Sequence, residues 1–288
     1  MFHQHWFHNC TFAPMNFRLF IGFIFISLIF VSCDEYQKVL KSPNPELKYA
    51  KSIEYYEAGE YQKAMSLFEE IMSLYKGTDK GQKIYYYYAY TNFRLGLLLS
   101  AAYYFRNYYS TYPNSENAED ALFMSAYCNY LDSPKPTLDQ TPTYLALEEL
   151  QIFVNTFPES ELVDSANVLV DELNLKLETK AYYNAKLYYK IRKYKSAIVA
   201  LNEVLANYPS STYEKEIKLL VIKAYYYLAI NSIEEKKLER FNLGIEAYTD
   251  FIDNFADSDK AEEAELFYAK LVREKEKLLL ENPSYYEL

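Results

Sequence analysis

One four-residue phrase recurs along this chain: Tyr112-Pro113-Asn114-Ser115, Phe157-Pro158-Glu159-Ser160, Tyr208-Pro209-Ser210-Ser211 and Phe255-Ala256-Asp257-Ser258. Its second residues lie 45, 51 and 47 positions apart. Each copy carries the chemistry of one helix ending and another beginning. An aromatic closes the last turn, proline cannot continue it, and serine or its neighbour caps the next helix. The fourth copy has Ala256 in the proline's place. Small and acidic residues come next, as in Ala118-Glu119-Asp120-Ala121 and Ala261-Glu262-Glu263-Ala264, and acid in a first turn suits the helix dipole.

Upstream of each phrase, and once before the first, a small residue is followed four positions later by a large apolar one. The pairs are Ala64 with Phe68, Ala101 with Phe105, Ala146 with Leu150, Ala197 with Leu201 and Gly244 with Tyr248. A small residue lets two helices approach, and the large one fills the groove beside it. This pattern resembles the tetratricopeptide repeat, whose second helix carries A-x-x-x-F and ends in proline. Gly59-Glu60-Tyr61 ahead of Ala64, and Ala185, Tyr188 and Tyr194 ahead of Ala197, fall at the expected offsets. The expected fold is all-α, a tetratricopeptide-repeat superhelical solenoid of about five helix pairs, closed by a capping helix over 259–281. Repeats 1–3 occupy 46–161; repeats 4–5 and the capping helix occupy 162–288, with 282–288 frayed. Three insertions stretch the basic period: Asp132–Thr143, where Pro134, Pro136 and Pro142 forbid a helix; Leu162–Thr179, a helical lengthening; and Asn231–Arg240, a charged helix extension. The 33 Tyr against six Gly and one Trp also favour long amphipathic helices over tight turns.

Arg18 precedes the apolar run Leu19–Val31, which stops at Ser32-Cys33. That run suits a signal peptide over 1–32 and falls short of the roughly 20 residues of a spanning helix. Phe30-Val31-Ser32-Cys33 resembles the bacterial lipobox, in which the cysteine is diacylated (palmitate-type chains), becomes the new N-terminus and is N-acylated. Phe30 stands where Leu is usual, and the alternative is an ordinary signal with a cysteine by chance. Met15 is a candidate true start, because Arg18 comes soon after it and residues 1–14 add nothing a signal needs. Residues 33–45, ending in Pro43-Asn44-Pro45, are expected to be a lipidated tether.

His3, His5 and His8 all precede Cys33, so a chain beginning at Cys33 has no histidine. That removes the commonest general base and metal ligand together. With no Walker loop, no G-x-S-x-G and no calcium-loop pattern, we expect a non-enzyme with no cofactor and no metal. Cys128 reads as a buried small hydrophobe. The acid pairs Glu69-Glu70, Glu148-Glu149 and Glu262-Glu263 read as solvated faces. The net charge of −10 leaves no basic surplus for nucleic acid; losing residues 1–32 removes one Arg and no acid, giving −11. An acidic body needs acyl chains to stay on an anionic membrane.

Counted outward from the small residues, the first helices of repeats 1 and 2 present Tyr49, Tyr56, Tyr86, Tyr90, Phe93 and Arg94 on one face. Rigid aromatics offer contact area at low entropic cost, and Arg94 can pair a carboxylate, so this face is the candidate peptide groove. The alternative is that Tyr85–Tyr88 only packs the core and Arg94 is solvated.

The combination of a lipobox cysteine with five tetratricopeptide repeats resembles the BamD family of outer-membrane protein assembly lipoproteins across nearly the whole chain from Cys33. Local likeness falls at Leu138-Asp139-Gln140-Thr141, at Lys176-Leu177-Glu178, and at Tyr182-Tyr183-Asn184-Ala185 with Tyr188-Tyr189. The resemblance implies an outer-membrane lipoprotein facing the periplasm, within the complex that inserts β-barrels. Its partners would be the barrel core subunit, bound by the C-terminal repeats, and the C-terminal aromatic signal of unfolded barrels, received in the N-terminal groove. The alternative is a tetratricopeptide adaptor lipoprotein of the cell-wall or division machinery. Replacing Cys33 with Ser should move the protein from the membrane pellet to the soluble fraction; retention in the pellet would exclude acylation there.

Overall fold

The computed structural model describes residues 35–282; the signal segment, Met15, Cys33 and residues 283–288 lie outside it. The described residues fall into two units divided between Leu131 and Asp132. The first holds α1 (residues 35–40), α2 (Pro45–Glu57), α3 (Tyr61–Met72), α4 (Asp79–Arg94), α5 (Leu98–Thr111) and α6 (Ala118–Asp132, whose last residue falls across the division). The second holds α7 (Thr141–Thr156), α8 (Val163–Lys190), α9 (Tyr194–Asn207), α10 (Glu214–Ile230), α11 (Glu234–Phe255) and α12 (Ala261–Glu281). Among the described residues there is no strand. Neighbours in sequence pack on one another within each unit, and α2 also meets α4, α8 meets α10 and α10 meets α12. Within each unit that is the tetratricopeptide arrangement: consecutive helices pack together, and first helices touch first helices.

The small-and-large pairs sit on α3, α5, α7, α9 and α11, the second helix of each pair. Ala64, Phe68, Ala101, Phe105, Ala146, Leu150, Ala197 and Leu201 are wholly buried. At Gly244 the approach is closest: a Cβ would lie 2.8 Å from Leu271 Cδ2 on α12 and 3.1 Å from Tyr225 Cβ on α10.

The recurring phrase builds one turn four times. The N–H groups of Ser115, Ser160, Ser211 and Ser258 donate to the carbonyls of Tyr112, Phe157, Tyr208 and Phe255. The N–H three residues further on then donates to each serine carbonyl. The fourth turn forms without proline, so proline stops the helix while the serine backbone closes the turn. The hydroxyl does not take the capping role that the sequence suggests for it. Instead Ser160 and Ser211 Oγ accept from the N–H two residues on, at 3.0 and 3.1 Å, inside the turn itself, and α8 and α10 have no side-chain cap.

A different turn joins the helices within a pair. At Gly59 and Gly96, φ is 77° and 74°, the left-handed value that glycine takes without strain. Gly59 N–H donates to Tyr56 and Glu60 N–H to Tyr55; Gly96 donates to Phe93 and Leu97 to Asn92, the double bond of a Schellman cap. The α8–α9 turn repeats this pattern, with Arg192 donating to Tyr189 and Lys193 to Tyr188, but places Arg192 at φ 61°. A side chain there costs on the order of 1 kcal/mol.

Two local expectations are corrected. The stretch expected to be a plain tether contains α1, whose Val39 is 4% exposed against Tyr55, Leu67 and Phe68, because one apolar residue per turn is enough to dock a short helix. Pro142 does not break a helix: it lies in the first turn of α7, where its missing N–H has no partner to lose. Residues 234–240 form the charged N-terminal end of the 22-residue α11, after a break at 231–233. The lengthening at 162–179 is present as the first half of the 28-residue α8. Cys128 is fully buried on α6.

The loop over 133–140 is held without regular structure. Gln140, 3% exposed, donates to the carbonyls of Lys135 and Leu138 and accepts from Thr143 Oγ1 at 2.7 Å. Lys176 on α8 reaches Ser133 Oγ at 2.7 Å, and Lys180 donates to Leu138 O. Glu178, between them and buried, accepts from Ser211 Oγ (2.7 Å), Thr212 N (2.9 Å) and Thr212 Oγ1 (3.1 Å), tying α8 to the α9–α10 turn.

Gly244→Ala should lower stability by about 1–3 kcal/mol in chemical denaturation, because the overpacking against Tyr225 and Leu271 outweighs the gain in helix propensity of about 1 kcal/mol. A stabilised variant would show that α10 and α12 can separate freely at this point.

Candidate functional site

The candidate groove lies within the first unit. Tyr86, Tyr90 and Phe93 project from α4 at helical spacing, and Tyr56 projects from α2. The Tyr86 and Tyr90 rings meet edge to face at 5.0 Å; Tyr90 meets Phe105 at 4.9 Å, and Phe93 lies 6.3 Å from Tyr127 of α6. Tyr56 joins through Tyr87, whose ring is 4.9 Å from it and 6.3 Å from Tyr86. Tyr56, Tyr86, Tyr90 and Phe93 are half-buried, whereas Arg94 is exposed and sets its guanidinium beside the Tyr56 hydroxyl. Tyr49 is placed apart from this chain of rings: its neighbours are Tyr75 at 6.1 Å and the Lys80 ammonium, 5.4 Å from its ring.

The residue that organises the face is Asp120, on the first turn of α6. One of its oxygens, Oδ2, accepts from Tyr86 Oη at 2.7 Å and from Tyr90 Oη at 2.6 Å. Two phenols on one carboxylate fix the distance between α4 and α6 and the rotamers of both rings. Burial, then the bond to Asp120, pushes both phenols well above their ordinary ionisation range. Burial also raises Tyr56, with Arg94 pulling it partly back. A second phenol–carboxylate bond, Tyr88 to Glu69 at 2.7 Å, ties α4 to α3 on the opposite side. The sequence signals Asp120 only as an acid in a first turn; what it receives depends on two residues 34 and 30 positions away.

The face is therefore rigid, apolar at its floor and cationic at one edge, a surface that can take an aromatic side chain with a carboxylate nearby. Nothing in it carries chemistry. Among the described residues no group of three or more His, Cys, Asp or Glu is placed to hold a metal ion. No helix among them is long and apolar enough to cross a membrane.

Known proteins place the chain in a family. The sequence model of the YfiO family, described as outer membrane lipoprotein, matches residues 42–241. The chain belongs to this family. Relatives named outer membrane protein assembly factor BamD are similar to it: one from Aquifex aeolicus, whose name carries the qualifier putative, at 25% identity, over 83% of this chain and 76% of that protein. Another, from Caulobacter vibrioides, is 22% identical over 69% of this chain and 65% of its own length; one from Rickettsia prowazekii is 22% identical over 62% and 70%. A solved thermophilic TPR protein of Thermus thermophilus is similar at 16% identity, with a TM-score of 0.32, over 80% of this chain and 99% of its own. The segments that resemble the family locally, around Gln140 and Glu178, are joints between helices and lie outside the aromatic face.

The raised phenols give a pH dependence of definite sign. The unfolded chain loses its phenolic protons near pH 10, before Tyr86 and Tyr90 in the folded chain. Stability present below about pH 10 is therefore lost as the pH rises beyond it. The last part of the rise in phenolate absorbance should coincide with loss of helical circular dichroism, and be less steep in Tyr86→Phe with Tyr90→Phe. Ionisation of all tyrosines with the helices intact would rule out the buried network.

Proposed function

We propose that this chain is a non-catalytic, lipid-anchored subunit of the outer-membrane β-barrel assembly machinery. Its N-terminal aromatic face receives the C-terminal segments of unfolded barrel proteins, and its C-terminal repeats bind the barrel core subunit. Membership of the outer-membrane lipoprotein family over 42–241 carries the reading, and the assembly role named for the relatives gives it direction.

The fold is consistent with work close to the bilayer. Acyl chains on Cys33 hold the protein to the membrane, and Val39, six residues on, is packed in the first unit. Six residues span at most about 22 Å, so the folded body stays close to the lipid surface. Tyr56, Tyr86, Tyr90 and Phe93 supply the apolar floor for an aromatic side chain, and exposed Arg94 supplies the charge for a chain's terminal carboxylate. Tyr49, packed with Tyr75 and Lys80, stands apart on α2 and is not part of this floor.

One purification tests both halves of this reading. A C-terminally tagged chain with Cys33 intact, recovered from solubilised native membranes, should bring down the barrel core subunit together with unfolded barrel proteins. Arg94→Ala should keep the core subunit and lose the barrel proteins several-fold, as expected for loss of about 1–2 kcal/mol at one interface anchor. Recovery of cell-wall or division proteins without the core subunit would replace this reading with an adaptor of that machinery. Equal recovery of barrel proteins by the variant would reject the aromatic face as their site.

A further inference from the structure

The second unit, whose repeats the proposed function assigns to partner binding, holds a cationic cleft, and the inference drawn from it deepens that reading. The cleft lies at the α8–α9 turn, has a volume of about 790 Å³, and is walled by Tyr189, Tyr194 and Tyr227. The Tyr194 and Tyr227 rings stack at 5.2 Å, and Tyr189 meets Tyr194 at 5.8 Å, so the wall is preorganised. Around it stand Lys190, Arg192, Lys193 and Lys195, four cations within six residues of a chain whose net charge is −10. All four are exposed, and the cleft has no acidic residue in its lining.

Elsewhere in this unit lysines find acids: Lys186 with Glu216, Lys215 with Asp259, Lys218 with Asp250 and Lys223 with Glu263. The four side chains at the turn make no ion pair or hydrogen bond among the described residues. The turn also pays for its charge. The two equivalent turns use Gly59 and Gly96 at the left-handed position, whereas this one holds Arg192 there at φ 61°. Strain kept where glycine would relieve it, beside unpaired cations over a cleft, is a pattern of ligand sites.

A neighbouring hollow shares Lys195 and Ser196 with the cleft and is lined further by Tyr188, Val199 and Ala200, with Glu203 as its one acid. Tyr188 is 44% exposed, Val199 62% and Ile191, beside Arg192, 53%. Cations thus alternate with uncovered apolar side chains over a concave surface. Free phosphate would leave the apolar groups uncovered, and a flat bilayer would not enter the cleft. We infer that this cleft is a docking site for an acidic segment of a partner protein, with carboxylates set on Arg192, Lys193 and Lys195 and large apolar side chains seated against Tyr194 and Val199. The site is separate from the aromatic face carrying Arg94 and does not depend on that face's role.

The test is retention of a randomised immobilised octapeptide library by the full-length chain in detergent, at low and at physiological salt. Arg192→Gly with Lys193→Gln is the variant; because glycine fits the turn, its melting temperature should equal or exceed that of the parent. The parent should enrich peptides in which Asp or Glu alternates with Leu, Phe or Tyr, and the variant should lose about tenfold or more of that retention at low salt. Absence of acidic enrichment by the parent, or equal enrichment by the folded variant, would overturn the inference. So would binding of vesicles containing phosphatidylglycerol through these residues with no peptide retained, which would assign the cations to lipid headgroups.

Discussion

Everything described in each unit depends on one close approach: the small residue at the contact face of the second helix of each pair. Ala64, Ala101, Ala146 and Ala197 are wholly buried, and at Gly244 no Cβ fits without displacing Leu271 and Tyr225. Close packing at these points brings first helices within reach of one another, so that α2 meets α4 and α8 meets α10. Only then can long side chains on first helices touch across the repeat. The aromatic face on α4 and the tyrosine wall of the α8–α9 cleft are both products of that approach.

Tyrosine is used here as a core residue with a polar end. Tyr108 and Tyr182 are almost fully buried, and the phenols of Tyr86, Tyr88 and Tyr90 end on Asp120 and Glu69. A phenylalanine core would bury as much area, but it would leave those carboxylates to water and the helix spacing less defined. A phenol–carboxylate bond is directional and charge-assisted, so it fixes rotamer and distance together. In the second unit Tyr182 stacks on Tyr213 at 4.2 Å while Lys186 links Tyr182 Oη to Glu216. Stacked or hydroxyl-bonded, these rings supply rigidity from side chains alone.

Two turn designs with different tolerances separate the elements. The turn between pairs is closed by a serine backbone and survives loss of its proline at Ala256. Three of the turns within a pair use a left-handed residue, and the chain gives glycine that place at Gly59 and Gly96 but arginine at 192. Stability is given up at the one of these three turns where the side chain adds positive charge to a cleft.

The sequence alone determined the helix pairs, the positions of the five close approaches, the long α8 and the burial of Cys128, because these come from local spacing and from what proline and small residues can do. It placed Tyr49, Tyr56, Tyr86, Tyr90, Phe93 and Arg94 on one face by helical periodicity. It missed α1, where a single buried valine is too short a pattern to register, and it misread Pro142, whose effect depends on which turn of the helix it occupies. Tertiary structure alone decided that Asp120 holds Tyr86 and Tyr90, that Tyr49 stands apart with Tyr75, that Gln140 and Glu178 are joints, and that four lysines and arginines gather unpaired around a tyrosine wall. Each of these depends on which residues distant in sequence come within a few ångströms, and composition and periodicity carry no record of those distances.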